Sequence, residues 1–278
     1  MTVVISGNSG IVNVLGSASN PAESATGGSN TGLYFPSTTS VALSTNGVAA
    51  LTITSGQQAA FAQSVSATQG MSSASYLSPF DSGYRNRIIN GSMGIAQRGT
   101  SFTNTNGYTV DRWAVYSAGT GPSVAQVAGP TGYRYALQIT GVAGNTQTQI
   151  NQRIESYNCS DLSGQTVTIQ VNISVSSAQT VAWYLAYPSA QDNYSSSTNI
   201  TNGTFSATTT ATTFTATITG LPSGVTNGLQ LNFFPQNAGA FTSGTITITG
   251  VQLELGSVAT PFEVRSLSSE LALCQRYY

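Results

Sequence analysis

Aromatic side chains set among amides are the residues of this chain whose types and spacing suit chemistry. Tyr184 follows Trp183 on a β-patterned stretch, so one ring faces in and the other out. Residues 187–194 read as a loop that holds Tyr187 and Tyr194 together with Gln191, Asp192 and Asn193. Phe234 and Phe241, around Gln236, form a second outward group. A sugar offers apolar C–H faces and hydroxyl edges, and aromatic platforms flanked by amides and a carboxylate meet both. The same rings also suit capping a β-sandwich or filling a subunit interface, and both readings stay open at this level.

Covalent and acid–base chemistry has little to work with. The chain has no Lys and no His, and its first 80 residues carry one charge, Glu23. Acid–base catalysis and metal ligation draw mostly on His, Lys, Asp, Glu and Cys. Hydrolysis of a glycoside needs two acids facing each other across a cleft, whereas nine are spread over 278 residues and only Asp192 lies near the aromatic candidates. The expectation is therefore a non-enzymatic protein without cofactor or metal. Eight scattered Arg do not make a counterion-displacing patch, which sets nucleic acid aside. No apolar run is long enough to span a bilayer, and no basic segment precedes an apolar one at the start, so neither membrane insertion nor a secretory signal is expected. Cys159 and Cys274, far apart in sequence, read as buried free thiols. With 6% charged residues and a net charge of −1, the chain is a folded, neutral protein whose polar surface is made of hydroxyls and amides.

The few charges present read as structural. Asp111-Arg112-Trp113 looks like an Asp–Arg pair beside a buried ring at a strand start, the Trp113 nitrogen needing one polar partner. Arg153, Glu155, Glu254 and Arg265 read as members of internal ion pairs, because an unpaired buried charge is costly.

The elements that must position these residues are strands throughout. Gln165–Val175 alternates with Val167, Ile169, Val171, Ile173 and Val175 on one side, and the pattern returns through Val181–Tyr187, Phe214–Ile218, Leu229–Phe233 and Ile246–Leu255. Gly250 marks a bulge where the phase shifts. About ten short strands from Arg85 onward, separated by Gly- and Pro-rich turns, argue for a two-sheet, jelly-roll-like β-sandwich over 85–278. Ser268–Tyr278 suits one short turn of helix, capped by Ser268 or Ser269 with Glu270 in its first turn. Ahead of the sandwich, residues 31–66 carry strand-like spacing at Leu33, Phe35, Val41, Leu43, Leu51 and Ile53, with Asn46-Gly47 as a hairpin turn. So thin a segment gains stability by wrapping sister copies around a common axis, which predicts a β-rich oligomeric shaft, a homotrimer, with a hinge over 67–84.

Several motifs carry a resemblance. They are Asn86–Met93 with Ile95–Gly99, Gly107–Trp113, Gln152–Glu155 with Leu162–Val167, Gly250–Gly256, Ala259–Glu263 and Leu271–Tyr278. Together these resemble the C-terminal domain of tail-fibre and appendage proteins of bacterial viruses, especially those of cyanobacterial and other aquatic hosts, and 31–53 resembles fibre-shaft sequence. That domain is similar to carbohydrate-binding modules of the jelly-roll type. The resemblance implies a trimeric virion protein, attached to other virion proteins through residues 1–30 and presenting its sandwich to host cell-surface glycan. A head decoration or collar protein with a purely structural role is the alternative.

Overall fold

The structure, a computed structural model, describes residues 5–6, 10–11, 15–24, 27–56, 59–61 and 84–276. The chain divides into two compact units, Met1–Tyr76 and Leu77–Tyr278. The hinge expected over 67–84 lies, except for Tyr84, outside the described residues.

In the first unit β1 (Ile5–Ser6) pairs with β2 (Gly10–Ile11). A five-stranded antiparallel meander follows: β3 (Glu23–Ser24), β4 (Gly32–Ser37), β5 (Ser40–Thr45), β6 (Val48–Ile53) and β7 (Ala59–Phe61). Asn46 and Gly47 join β5 to β6 with φ of 49° and 77°, the two positive angles of a type I′ turn. Leu33, Leu43 and Leu51 align across β4, β5 and β6, and Val41 stands opposite Ile53. The alternate positions Tyr34, Ala42 and Ser44 are buried, whereas Leu43 and Ile53 are 46% and 39% exposed. The meander therefore covers one face and leaves a leucine row on the other.

The second unit is a sandwich of two six-stranded antiparallel sheets. Its strands are β8 (Ser101–Phe102), β9 (Gly107–Tyr108), β10 (Ala114–Gly119), β11 (Ser123–Ala128), β12 (Tyr135–Thr140), β13 (Asn145–Glu155), β14 (Val167–Val175), β15 (Gln179–Ala190), β16 (Asn193–Ala207), β17 (Thr212–Ile218), β18 (Gly228–Phe234) and β19 (Thr245–Leu255). Sheet I runs β16-β15-β18-β13-β10-β9 and sheet II runs β17-β14-β19-β12-β11-β8. The chain passes from one sheet to the other at β8–β9, β10–β11, β12–β13, β13–β14, β14–β15, β16–β17, β17–β18 and β18–β19, the wiring of a jelly-roll-like sandwich. The inward residues read from alternation, among them Val167, Ile169, Ile173, Leu229, Leu231, Phe233, Ile246 and Leu253, form one continuous buried core. Trp183, Phe205 and Phe214 stack in series at 5.9 and 5.1 Å across the β16/β17 margin, closing the core on that side.

Opposite Val171, β19 carries an extra residue, and Gly250 there has φ +58°. A Cβ at this position would lie 2.4 Å from Tyr133 Oη. Left-handed strain and displacement of a ring packed edge-on against Phe262 together predict that Gly250→Ala lowers stability by about 2–3 kcal/mol. Urea unfolding with an unchanged m-value checks this, and a change under about 0.5 kcal/mol would refute it.

Three side chains brace the sandwich to the strand-free segment 84–99. Asn86 accepts from the backbone nitrogens of Ile88 and Leu253 and donates to Val251 O. Gln152 bonds both the nitrogen and the carbonyl of Ile89, each at 2.8 Å. Asn90 accepts from Ile95 N and donates to Ile95 O and Asp111 O. Trp113 is fully buried, its Nε1 donating to Asn90 O at 3.0 Å. The motifs that carry the resemblance thus meet in one polar brace rather than on an open surface.

The ion pairs differ from expectation in two places. Asp111 and Arg112 do not pair with each other: Asp111 accepts from Gln97, and Arg112 reaches Glu155 at 2.7 Å. Adjacent residues leave the backbone in different directions, so each finds its own partner. Among the described residues Arg153 makes no ion pair, and Tyr rings take the place of an acid. Glu254, fully buried, meets Arg85 at 3.1 Å, and Arg265 lies between Glu263 and Glu270. The C-terminal helix α1 spans Leu267–Gln275 and is longer than one turn, and its cap is Ser266, which accepts from Ser269 N at 3.2 Å. Both cysteines are free and buried, and burial pushes the Cys274 thiol up to about 12.

Candidate functional site

The outer face of sheet I is where side chains gather that could meet a ligand. Register places Tyr184 of β15 opposite Asn232 of β18, Asn232 opposite Asn151 of β13, and Asn151 opposite Ala114 of β10. One pair along, Phe234 lies opposite Ala182; in the other direction Gln230 lies between Ala186 and Arg153. Gln149 faces Tyr116. Large rings and amides therefore stand over a floor of Ala114, Ala182 and Ala186, because small residues alternate with large ones across the ladder.

Tyr184 stacks on Phe234 with centroids 5.3 Å apart and planes at 29°. Gln149 Nε2 donates to Asn232 Oδ1 and lies 3.3 Å from Tyr184 Oη, while Gln230 Nε2 donates to the same Asn232 oxygen at 2.6 Å. The amides are thus fixed in orientation by one another. Burial raises the Tyr184 hydroxyl above its ordinary range, partly offset by Gln149, so it stays protonated at neutral pH. Tyr194 Oη sits 2.6 Å from Ile154 O and 3.2 Å from Leu229 O, and burial, first among its causes, pushes that hydroxyl up as well. The Arg153 guanidinium lies over the Tyr194 ring at 5.0 Å and the Tyr116 ring at 5.9 Å. The half-buried Tyr116, Gln149, Arg153, Tyr184 and Tyr194 are the groups this face presents, over buried Phe234, Gln230, Asn232 and Asn151, and no nucleophile–base couple stands there among the described residues.

The other sequence candidates fall elsewhere. Residues 187–194 are not a loop but the tip of the β15–β16 hairpin, turning at Gln191 and Asp192, whose φ is 54°. Tyr187 points inward to the core and, with Trp183 and Asn199, lines a cavity of about 660 Å³ at the sandwich margin. Asp192 accepts from Ser156 N at 2.7 Å and Ser156 Oγ at 2.9 Å, and Gln191 donates to that same Oγ at 3.1 Å. Both are committed to fastening the hairpin tip to the turn at Ser156. Asn193 is exposed and accepts from Ser195 N. Gln236 is exposed in a turn with φ 51° beside a second cavity, of about 460 Å³. Phe241 corrects the second aromatic group: it is fully buried in the core, its nitrogen held by Asn145 Oδ1. Of the predicted residues, the face unites Tyr184, Phe234 and Tyr194. Sequence reasoning missed Tyr116, Gln149, Asn151, Gln230 and Asn232, although the inward phase of Leu229, Leu231 and Phe233 already assigns 230, 232 and 234 to the outside.

Comparison with known proteins gives no matching family model and no matching curated protein. Among solved structures the chain is similar to a carbohydrate-binding module described under "CBM4 structure and function", at 20% identity and TM-score 0.42, covering 61% of this chain and 99% of that one. It is also similar to the CBM22-1 xylan-binding domain from Paenibacillus barcinonensis Xyn10C, at 16% identity and TM-score 0.36, covering 57% and 94%. A third likeness is to the enzymatically active domain of bacteriophage CBA120 tailspike protein 4, at 14% identity and TM-score 0.44, covering 63% of this chain and 22% of that one.

Proposed function

We propose that this chain is a bacteriophage virion protein, a trimeric tail fibre or appendage that binds host cell-surface glycan through the outer face of sheet I. The observation that carries the binding reading is the array of Tyr184, Phe234, Gln149, Gln230 and Asn232, rings and mutually fixed amides on one rigid sheet. A pyranose stacks on the half-buried Tyr184 ring while its hydroxyls meet Gln149, and the buried Phe234, Gln230 and Asn232 hold those two groups in place from beneath. The role is binding without catalysis: the acids of the sandwich, Asp111, Glu155, Asp161, Asp192, Glu254, Glu263 and Glu270, all serve internal bonds. The leucine row of the first unit supports assembly with sister copies, and residues 1–30 are the part assigned to the particle.

A shallow sugar site of this kind binds at about millimolar strength, roughly −4 kcal/mol. Repetition within a trimer, and of trimers on a particle, raises avidity by about 10²–10⁴ without a new contact. The test pairs binding with adsorption. Tyr184→Ala is expected to lose about tenfold or more in affinity for host envelope polysaccharide, with far-UV spectrum and melting temperature retained. The purified wild-type protein is expected to block virus adsorption and the variant to fail. Unchanged polysaccharide affinity in the variant would remove this face from the reading.

A further inference from the structure

Arg153, like Arg134 over the Tyr135 ring, differs from the ion-paired arginines of the sandwich in having aromatic rings and no carboxylate beside it among the described residues. Arg85, Arg87, Arg112 and Arg265 each reach a carboxylate at 3.4 Å or less. Among the described residues Arg153 reaches none and its guanidinium makes no hydrogen bond, and its Nε is buried without a hydrogen-bond partner as are those of the four paired arginines. The acids in its neighbourhood are already committed. Glu155 gives one oxygen to Arg112 at 2.7 Å and the other to Asn158 at 3.3 Å, while Asp192 spends both on Ser156. Two positions back on the same strand face, Asn151 is 2% exposed and its Nδ2 is likewise buried without an acceptor.

Geometry says what such a cation is prepared to meet. Rings at 5.0 and 5.9 Å occupy the surroundings of the guanidinium in place of a counter-ion. Aromatic contact uses the flat faces of a guanidinium and leaves its edge N–H donors, the fork that matches a carboxylate or sulfate in two parallel bonds. The site shares its face with the Tyr184–Phe234 stack and the Gln149–Asn232–Gln230 amides, within the span of a few sugar units.

We propose that the glycan taken by this face is acidic, with the anionic group of one sugar seated on Arg153 between Tyr116 and Tyr194 while neighbouring rings stack toward Tyr184 and Phe234. This rests on the glycan-binding reading above and adds the charge class of the ligand. A carboxylate sugar and a sulfate ester present the same anionic oxygens, so the probes separate them.

The experiment is calorimetric titration or affinity electrophoresis of the full chain with three polymers: a polyuronate, a sulfated galactan and an uncharged β-glucan. At least one acidic polymer is expected to bind about tenfold or more tightly than the neutral one, with affinity falling as salt rises. Arg153→Gln is expected to erase that preference, bringing the acidic polymer to the neutral level and leaving neutral binding in place. Arg153→Lys, which keeps the charge and loses the planar fork, is expected to retain part of it and covers the case in which Gln disturbs the fold. The preferred acidic polymer identifies carboxylate or sulfate as the group recognised. Equal or stronger binding of the neutral polymer, or an unchanged preference in Arg153→Gln, overturns the acidic assignment and leaves the glycan reading standing. If a folded protein binds no polymer of any charge, both readings fall together.

Discussion

Asn90→Ala is expected to cost about 4 kcal/mol of folding stability, more than any other single truncation in the brace. Asn90 is fully buried with φ 57°, a left-handed conformation that Asn tolerates and Ala does not. Its side chain closes three bonds, to Ile95 N at 2.9 Å, Ile95 O at 2.9 Å and Asp111 O at 2.8 Å. Truncation strands Ile95 N and Asp111 O away from water at about 1–3 kcal/mol each before relaxation, while Ile95 O keeps the Asp111 nitrogen at 3.1 Å. The Asn90 carbonyl also holds the Trp113 indole at 3.0 Å, and its nitrogen meets Glu270 of α1. One residue therefore ties the strand-free segment to β10 and to the C-terminal helix. In a domain of this size the melting temperature should fall by about 8–16 °C, read by calorimetry. Asn90→Gly separates the two causes: it removes the backbone strain and keeps the bond loss, so it should recover about 1 kcal/mol relative to Ala. An Ala variant within 1 kcal/mol of wild type would show that the brace is dispensable.

That brace marks where the sequence stopped being readable. The sandwich was legible because its signal is local: a strand such as Val167–Val175 must put every second residue inward, and all five inward positions of that strand are buried. Asn46-Gly47 was legible for the same reason, since two positive φ angles constrain residue type directly. Pairings that cross the fold leave no such mark. Nothing near Arg112 in sequence says that its acid is Glu155, 43 positions on, or that Arg153 goes without one. Phe241 looked outward because its neighbours in sequence are small and polar, yet tertiary packing takes it into the core. Asp192 looked open because a tyrosine-flanked polar stretch resembles a loop, whereas a two-residue turn in a long hairpin carries it onto Ser156. On the candidate face, the alternation of β18 was sufficient to find Gln230 and Asn232. The partners from β13 and β10 required the sheet order, which no local pattern encodes.

If the chain forms the trimer proposed above, Leu43→Asp in the first unit should convert it to single chains. Leu43 sits in the middle of the row Leu33–Leu43–Leu51, beside Val41 and Ile53, and is 46% exposed in one chain. Burying such a leucine against sister copies contributes about 1.5–3 kcal/mol per chain, and a row of them supplies what a thin meander lacks. Three aspartates brought round a common axis add mutual repulsion and the desolvation of each carboxylate, several kcal/mol in a unit that offers almost no cation to offset it. Light scattering coupled to size exclusion should give three times the chain mass for wild type and one for the variant. Lowering the pH through the carboxylate range neutralises the new groups, so the variant should regain assembly below about pH 4, a reversal that an unfolded first unit does not produce. Leu43→Ala distinguishes packing from charge: it removes burial without adding repulsion and should weaken assembly by a smaller step. A wild-type protein that stays monomeric at every concentration would end the trimer reading, and glycan binding by a single sandwich would then have to act without avidity.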